Sequence, residues 1–131
     1  MRDMRARDAR VRPGARGHHL MSAEQVRQKI QQLNDAFRTT MTGGRVMMTA
    51  GVDALPSDVK AMVIRRVAMF SDFTPDNDPH GEHDFGSFSL AGRKFFWKID
   101  YYDGAMEFGS YDPADPSKTT RVLTIMLAEE Y

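Results

Sequence analysis

The chain has 131 residues, of which 41% are hydrophobic, 27% charged and 10% aromatic, with 18 basic and 18 acidic side chains. These proportions are typical of one globular domain and exclude a wholly disordered chain. Because there is no cysteine, disulfides, thiolate metal sites and cysteine nucleophiles are also excluded. With no long apolar run and no secretory signal at the start, we expect a cytoplasmic protein without membrane contact.

The charges divide unevenly along the chain. Residues 1–20 contain six arginines and two aspartates, a balance of +4, whereas residues 21–131 contain 12 basic and 16 acidic side chains, a balance of −4. The first segment has almost no apolar periodicity and contains Pro13-Gly14. We therefore predict a disordered basic arm over 1–20 and a single α+β domain over 21–131.

The first elements of that domain are a helix and a short strand. Ser22 and Gln25 form a capping-box pattern, and the apolar residues that follow recur at helical spacing, which predicts a helix over 23–40. Gly43-Gly44 ends the helix, and the apolar, β-compatible residues 45–50 predict a strand.

A second helix is predicted from residue 57 to about residue 71, after Pro56. Its predicted core stripe is Val59, Met62, Val63, Val67 and Phe70. The polar segment 73–84 contains two prolines and a glycine, so we predict a loop there.

Beyond this loop the hydrophobic pattern changes to a period of two. In 95–102 the odd positions are all apolar or aromatic, which predicts a strand with one face toward the core. The core-facing residues are Phe95, Trp97, Ile99 and Tyr101, and the opposite face carries Phe96, Lys98, Asp100 and Tyr102. A two-residue turn at Ala91-Gly92 would place Phe88 opposite Phe95 and Gly86 opposite Trp97.

A second turn at Asp103-Gly104 predicts a third antiparallel strand. In that register Tyr101 pairs with Met106, Ile99 pairs with Phe108, and Asp100 lies opposite Glu107. The three strands would form a β-meander.

The last segment, 119–131, fits two interpretations. Its β-branched residues favour a strand, whereas Pro116 before it and the closing Leu127-Ala128-Glu129-Glu130 favour a helix. Our interpretation favours the helix. The predicted fold class is therefore α+β, an antiparallel β-meander sheet packed against two or three amphipathic helices.

The first candidate site is the histidine loop, residues 77–84. His80 and His83, with Glu82 or Asp84, are residue types that bind zinc, manganese or iron. A metal with an open coordination position could activate water, with Glu82 or Asp84 as general base.

The alternative for this loop is purely structural. Asp76, Asn77 and Asp78 are suited to side-chain hydrogen bonds within turns, and Gly81 permits a left-handed conformation. On this interpretation the histidines hydrogen-bond the loop in place and bind no metal.

The second candidate site is the wet face of the meander. Asp100 opposite Glu107 is a pair that general acid–base catalysis could use, and Lys98 between carboxylates is equally typical of a solvated sheet face. Phe96 and Tyr102 could stack nucleobases, but the acidic balance of residues 21–131 argues against phosphate binding. We expect these two rings either to mark a protein contact or to lie beneath a helix.

Several long motifs resemble a domain-of-unknown-function family of small alphaproteobacterial proteins associated with mobile elements. The motifs lie at 33–38 (LNDAFR), 42–46 (TGGRV), 77–86 (NDPHGEHDFG), 95–103 (FFWKIDYYD) and 120–131 (TRVLTIMLAEEY). The resemblance omits the basic arm. It implies a mobile-element context and supplies no catalytic residue.

We therefore expect a small, acidic, non-catalytic interaction protein, an inhibitor of a host defence complex of the CRISPR type, with a basic nucleic-acid-binding complex as its partner. The expected acidic contact surface is Asp76, Asp78, Glu82, Asp84, Asp100 and Glu107. The other candidate binding residues are His80, His83, Lys98 and Tyr102.

Two alternatives stay open. One is a metal-dependent hydrolase with a divalent cofactor held by His80 and His83. The other is a self-associating protein, since methionine adapts to irregular contacts. The methionines that could line a homodimer seam are Met47, Met48, Met62 and Met69.

Overall fold

The computed structural model describes residues 21–131, so the predicted arm lies outside the described residues. Four strands form one sheet: β1 (Arg45–Met48), β2 (Phe85–Leu90), β3 (Arg93–Tyr102) and β4 (Thr120–Leu127). Their order is β1-β4-β3-β2. Strands β2, β3 and β4 are antiparallel neighbours, and β1 runs parallel to β4. The fold is α+β with a mostly antiparallel sheet, as predicted.

The helices are α1 (Ala23–Thr40), α2 (Ala50–Asp53) and α3 (Ser57–Ala68), and a short 3-10 turn over Ala128–Glu130 follows β4. Helix α1 has the predicted bounds. Its capping box is formed, since Ser22 Oγ accepts from the Gln25 amide at 3.1 Å and Gln25 Oε1 accepts from the Ser22 amide at 2.9 Å. Among the helices of residues 21–131, none is long and apolar enough to cross a membrane.

The hydrophobic core lies between the helices and one face of the sheet. The four odd-numbered side chains of β3 predicted to face inward are all buried, and Trp97 is fully enclosed. They pack with residues from α1, α3 and β4: Val26, Ile30, Phe37, Val63, Val67, Leu123, Ile125 and Leu127. Each such side chain contributes about 1.5–3 kcal/mol when fully buried.

The β2–β3 hairpin has the predicted register, with Phe88 opposite Phe95 and Gly86 opposite Trp97. Ala91 and Gly92 both have positive φ, 53° and 75°, which is the geometry of a two-residue hairpin turn that twists with its strands. At Gly86 the indole takes the space of a side chain, because a Cβ there would lie 2.5 Å from Trp97 Nε1.

The helix predicted for 119–131 is wrong, because this segment forms β4. Strand β4 lies between β1 and β3, and its residues are buried on both faces of the sheet except Thr120 and Thr124, which are half-buried. A strand buried on both faces carries apolar side chains at odd and even positions alike, as β4 does at Val122, Leu123, Ile125, Met126 and Leu127. The β-branched residues, rather than the closing acidic residues, therefore indicated the structure of this segment.

The third strand predicted after Asp103-Gly104 is also wrong, and β4 takes its place beside β3. Residues 103–109 form a compact turn in which Asp103 Oδ1 accepts from the Glu107 amide at 3.0 Å. Phe108, predicted to be in the core, is 67% exposed. Asp100 is opposite Val122 rather than Glu107, so the predicted carboxylate pair does not form.

Smaller corrections concern the first strand and the second helix. The strand predicted for 45–50 ends at Met48, because the chain turns into α2. Helix α3 ends at Ala68, three residues early, and Met62 points outward, 50% exposed, rather than into the core stripe.

Replacing Gly86 tests the packing of the indole. We expect Gly86→Ala to lower the free energy of unfolding by about 1–3 kcal/mol, since the new methyl group collides with Trp97 and with the Phe70 ring, 2.8 Å away. Gly104→Ala is the matched control, because a Cβ there meets nothing within 4 Å. Urea unfolding checks both; equal midpoints for the two variants would contradict this account.

Candidate functional site

One face of the sheet lies opposite the helices, and we call it the open face. It carries residues from β1, β3 and β4 whose neighbours are set by the strand register. These residues are Arg45, Met47, Lys94, Phe96, Lys98, Asp100, Tyr102, Val122 and Thr124, and Phe85 of β2 lies on the same face. At one end of this face, the Tyr131 ring packs on Phe96 with ring centroids 5.2 Å apart.

A groove of about 490 Å³ lies on the open face. Its rim includes Arg45, Tyr102 and Met106, which belongs to the loop between β3 and β4. Met47, also in the lining, is 53% exposed. A groove of this volume has the size of a ligand site and combines apolar surface with a few polar groups.

An ion pair lies in the wall of the groove. Lys98 Nζ is 2.7 Å from Asp100 Oδ2, and both side chains are largely removed from solvent. Removing two charges from water has a desolvation cost that their attraction must offset. A buried ion pair therefore does not by itself show that the pair stabilises the fold. Of the predicted residues, the structure thus brings Lys98, Asp100 and Tyr102 together around one groove.

The histidine loop lies away from this face, against α1. Asn77 Oδ1 accepts from the Thr74 amide at 2.9 Å, and Asp78 Oδ1 accepts from the amides of Glu82 and His83 at 3.2 Å. Burial raises the pKa of Asp78 above its ordinary 3.8, and the charge of Asp84 adds to the rise, while the two backbone donors oppose it. These hydrogen bonds fit the structural interpretation of the loop, in which Asn77 and Asp78 bond to the backbone of its turns.

His83 is held by groups from other parts of the chain. Its Nδ1 lies 3.0 Å from both carboxylate oxygens of Asp35 on α1, and its Nε2 is 3.7 Å from Asp78 Oδ2. The imidazole stacks on Phe73 at a centroid distance of 3.7 Å. The backbone of His83 is left-handed, with φ 56°, a conformation that costs free energy in a non-glycine residue and that these contacts maintain.

Glu82 belongs to a buried polar network. Its carboxylate accepts from the Tyr101 hydroxyl at 3.0 Å, and its backbone carbonyl accepts from Asn34 Nδ2 at 2.9 Å. Asn34 Oδ1 in turn accepts from Arg121 Nε at 2.7 Å. Burial lowers the pKa of the Arg121 guanidinium. Glu82 is therefore placed to hold the loop on the sheet.

The remaining predicted residues are dispersed. Asp76, His80 and Glu107 are exposed, whereas four members of the expected acidic surface are buried: Asp78, Glu82, Asp84 and Asp100. His80 and His83 both border a shallow groove of about 440 Å³. Within the described part of the chain, no group of three or more His, Asp or Glu side chains is arranged to hold a metal ion.

The site residues that sequence reasoning missed are on α1 and β1. Asp35 and Arg38 are joined by an ion pair of 2.9 Å, and Arg38 also donates to the Val67 carbonyl at the end of α3. The signal for Arg38 and Asn34 was their position on the apolar side of α1, where a polar residue needs partners. Arg45 carried no such signal, because its face is set by pairing with β4. Met47 was predicted only as a candidate for a homodimer seam, and the same pairing places it on the open face.

Together, the helices on one side and the groove on the other define an α+β domain with an open-faced sheet. The chain matches the model of a family described as a protein of unknown function, DUF3768, over residues 48–130, and it belongs to that family. The resemblance to a domain-of-unknown-function family is thereby confirmed. The match covers α2, α3 and strands β2, β3 and β4 and begins after α1. No curated protein and no solved structure matches the chain.

Asp78 provides a test of the electrostatics of the loop. A raised pKa means that the folded chain binds the proton more tightly than the unfolded chain, so the burial of Asp78 reduces stability as pH rises above 3.8. Asp78→Asn keeps an acceptor for the two amides and removes the charge. We therefore expect its unfolding free energy, relative to the original chain, to improve from pH 4 to neutrality.

The control for this prediction is Asp78→Ala, which leaves both backbone donors without their acceptor and should cost about 1–3 kcal/mol. Urea unfolding over a pH series measures all three proteins. A constant difference between Asp78→Asn and the original chain at every pH would contradict the expectation.

Proposed function

We propose that this protein is a non-catalytic binding protein whose contact surface is the open face. The observation that carries the proposal is the groove itself, with exposed Met47 and cationic Arg45 on a sheet face opposite the helices. Phe108, in the same loop as Met106, adds exposed apolar area. Exposed apolar surface bordered by polar groups is typical of interaction sites.

The contacts of the histidine loop are accounted for by a structural role. Asp35 holds the imidazole of His83, and Tyr101 holds the carboxylate of Glu82. Side chains engaged in this way position the loop against α1 and the sheet. The groups that the hydrolase alternative would need as ligand and base thus have structural partners.

The partner that we propose is a host defence complex guided by nucleic acid, the class that the mobile-element resemblance suggests. The balance of −4 over residues 21–131 supports this choice, since an acidic protein approaches a basic complex faster at low salt. Inhibition would result from occupation of the partner's surface by the open face.

The experiment compares two methionines with nearly equal exposure on opposite sides of the domain. Met47 lies on the open face and is 53% exposed, and Met62 lies on α3 and is 50% exposed. Met47→Asp places a charge in the contact surface and should weaken binding about 30-fold, whereas Met62→Asp should bind like the original chain.

Two measurements check this prediction: recovery of the defence complex with the tagged protein, and plasmid interference in cells that carry the complex. We expect the original chain and Met62→Asp to recover the complex and reduce interference, and Met47→Asp to do neither. Full inhibition by Met47→Asp would rule out the open face. Unchanged interference with the original chain would overturn the proposed partner.

A further inference from the structure

The open face has a local charge opposite to that of the domain. Its strand positions carry three cations, Arg45, Lys94 and Lys98, against the single carboxylate of Asp100, a local balance of +2. Lys98 pairs with Asp100. The side chains of Arg45 and Lys94 are exposed and make no ion pair within residues 21–131, and Lys94 Nζ lies 5.5 Å from the centroid of the Phe96 ring, a cation–π contact. Two cations on this face are therefore available to an anionic ligand.

The two acidic residues that follow β4, Glu129 and Glu130, contact groups other than Arg45 and Lys94. Glu129 Oε1 lies 3.4 Å from Arg93 Nη2, and Glu130 accepts from the Gly51 amide at 2.9 Å and from the Thr49 hydroxyl. Although burial opposes the shift, these hydrogen bonds lower the pKa of Glu130 and keep it ionised in that position.

Aromatic rings lie at both ends of the same face. Tyr102 is half-exposed and lines the groove. Phe85, Phe96 and Tyr131 cluster at the other end, with ring centroids 5.2 to 5.9 Å apart. Arg45 and Asp100 lie in one row across the sheet, because both pair with Val122. Asp100 and Lys94 are six residues apart on β3, which corresponds to about 20 Å along the strand. Phe96 is buried under its neighbours, so the rings that reach the surface are Tyr102 at one end and Phe85 and Tyr131 at the other. Such rings and exposed cations spread over this distance suit an unpaired nucleic acid strand, because its bases stack and its phosphates attract cations.

We infer that the open face binds single-stranded RNA, with a base stacked on Tyr102 and phosphates near Arg45 and Lys94. This inference rests on the proposed function, in which the open face is the contact surface, and it identifies the RNA of the partner complex as the ligand. Thr124, half-buried in the groove, offers a hydroxyl to a 2′-hydroxyl, the group that distinguishes RNA from DNA.

The test uses the full chain and a fluorescent single-stranded oligouridylate of about 12 nucleotides, with anisotropy measured over a salt series. We expect Arg45→Glu to weaken binding about tenfold and to lower the salt dependence by about one unit of slope. Arg65→Glu is the matched control, because Arg65 is equally exposed but belongs to α3, and it should bind like the original chain.

Two further variants complete the test. Tyr102→Ala tests base stacking, and Lys94→Glu is used if Arg45→Glu unfolds below the assay temperature. Tyr102→Ala should weaken binding about fivefold or more. Lys94→Glu, at an exposed position of β3, takes the place of Arg45→Glu with the same expectation. A DNA strand of the same length and sequence should bind more weakly than the RNA, and so should an RNA duplex.

Several results would overturn the inference. The first is that the original chain binds no oligouridylate. The second is that Arg45→Glu binds as tightly as the original chain, or loses no more affinity than Arg65→Glu does. The third is that an RNA duplex or single-stranded DNA binds as tightly as single-stranded RNA. Inhibition that Met47→Asp abolishes, with no RNA binding, would overturn this inference and leave the proposed function standing. RNA binding that Arg45→Glu weakens, without inhibition, would support the inference and overturn the proposed partner.

Discussion

The buried amide of Asn34 is the contact on which the arrangement of the helix, the loop and the sheet depends. Its Nδ2 donates to the Glu82 carbonyl and to the Tyr101 hydroxyl, 2.7 Å away, while its Oδ1 accepts from Arg121. A buried polar group without partners costs free energy, so α1 has to pack where these partners can reach it. The same contacts place the histidine loop on the edge of the sheet beside α1.

The elements that could be predicted from the sequence are those determined by local interactions. The first helix has its own cap and apolar stripe, and the β2–β3 hairpin has a turn of two residues that sets its register. Strand β4 is different, because β1 comes from a distant part of the chain and covers its second edge. The third predicted strand failed for the same reason: β4 occupies the edge of β3 that residues 105–109 were expected to use.

The same distinction between local and distant contacts decides which parts of the candidate site could be predicted. The alternation of 95–102 placed Lys98, Asp100 and Tyr102 on one face of β3, and the structure groups them there. That face was expected to be wet, but Asp100 is buried in its ion pair with Lys98. The partner of His83 is 48 residues away on α1, and no spacing rule reaches that far. The role of Glu82 could not be assigned either, because its partners Asn34 and Tyr101 come from α1 and β3. A carboxylate that is buried and hydrogen-bonded inside the protein cannot also serve as contact surface.

The charge of this protein illustrates why a sum over the sequence is a poor guide to a surface. At physiological ionic strength, exposed charges are largely screened beyond about 8 Å, so a phosphate near Arg45 experiences its immediate neighbours more than the total of −4. The register places Arg45 beside Val122 and, one strand further, Asp100, whose charge is balanced by Lys98. The net charge of the domain is therefore a poor measure of the local charge on the open face.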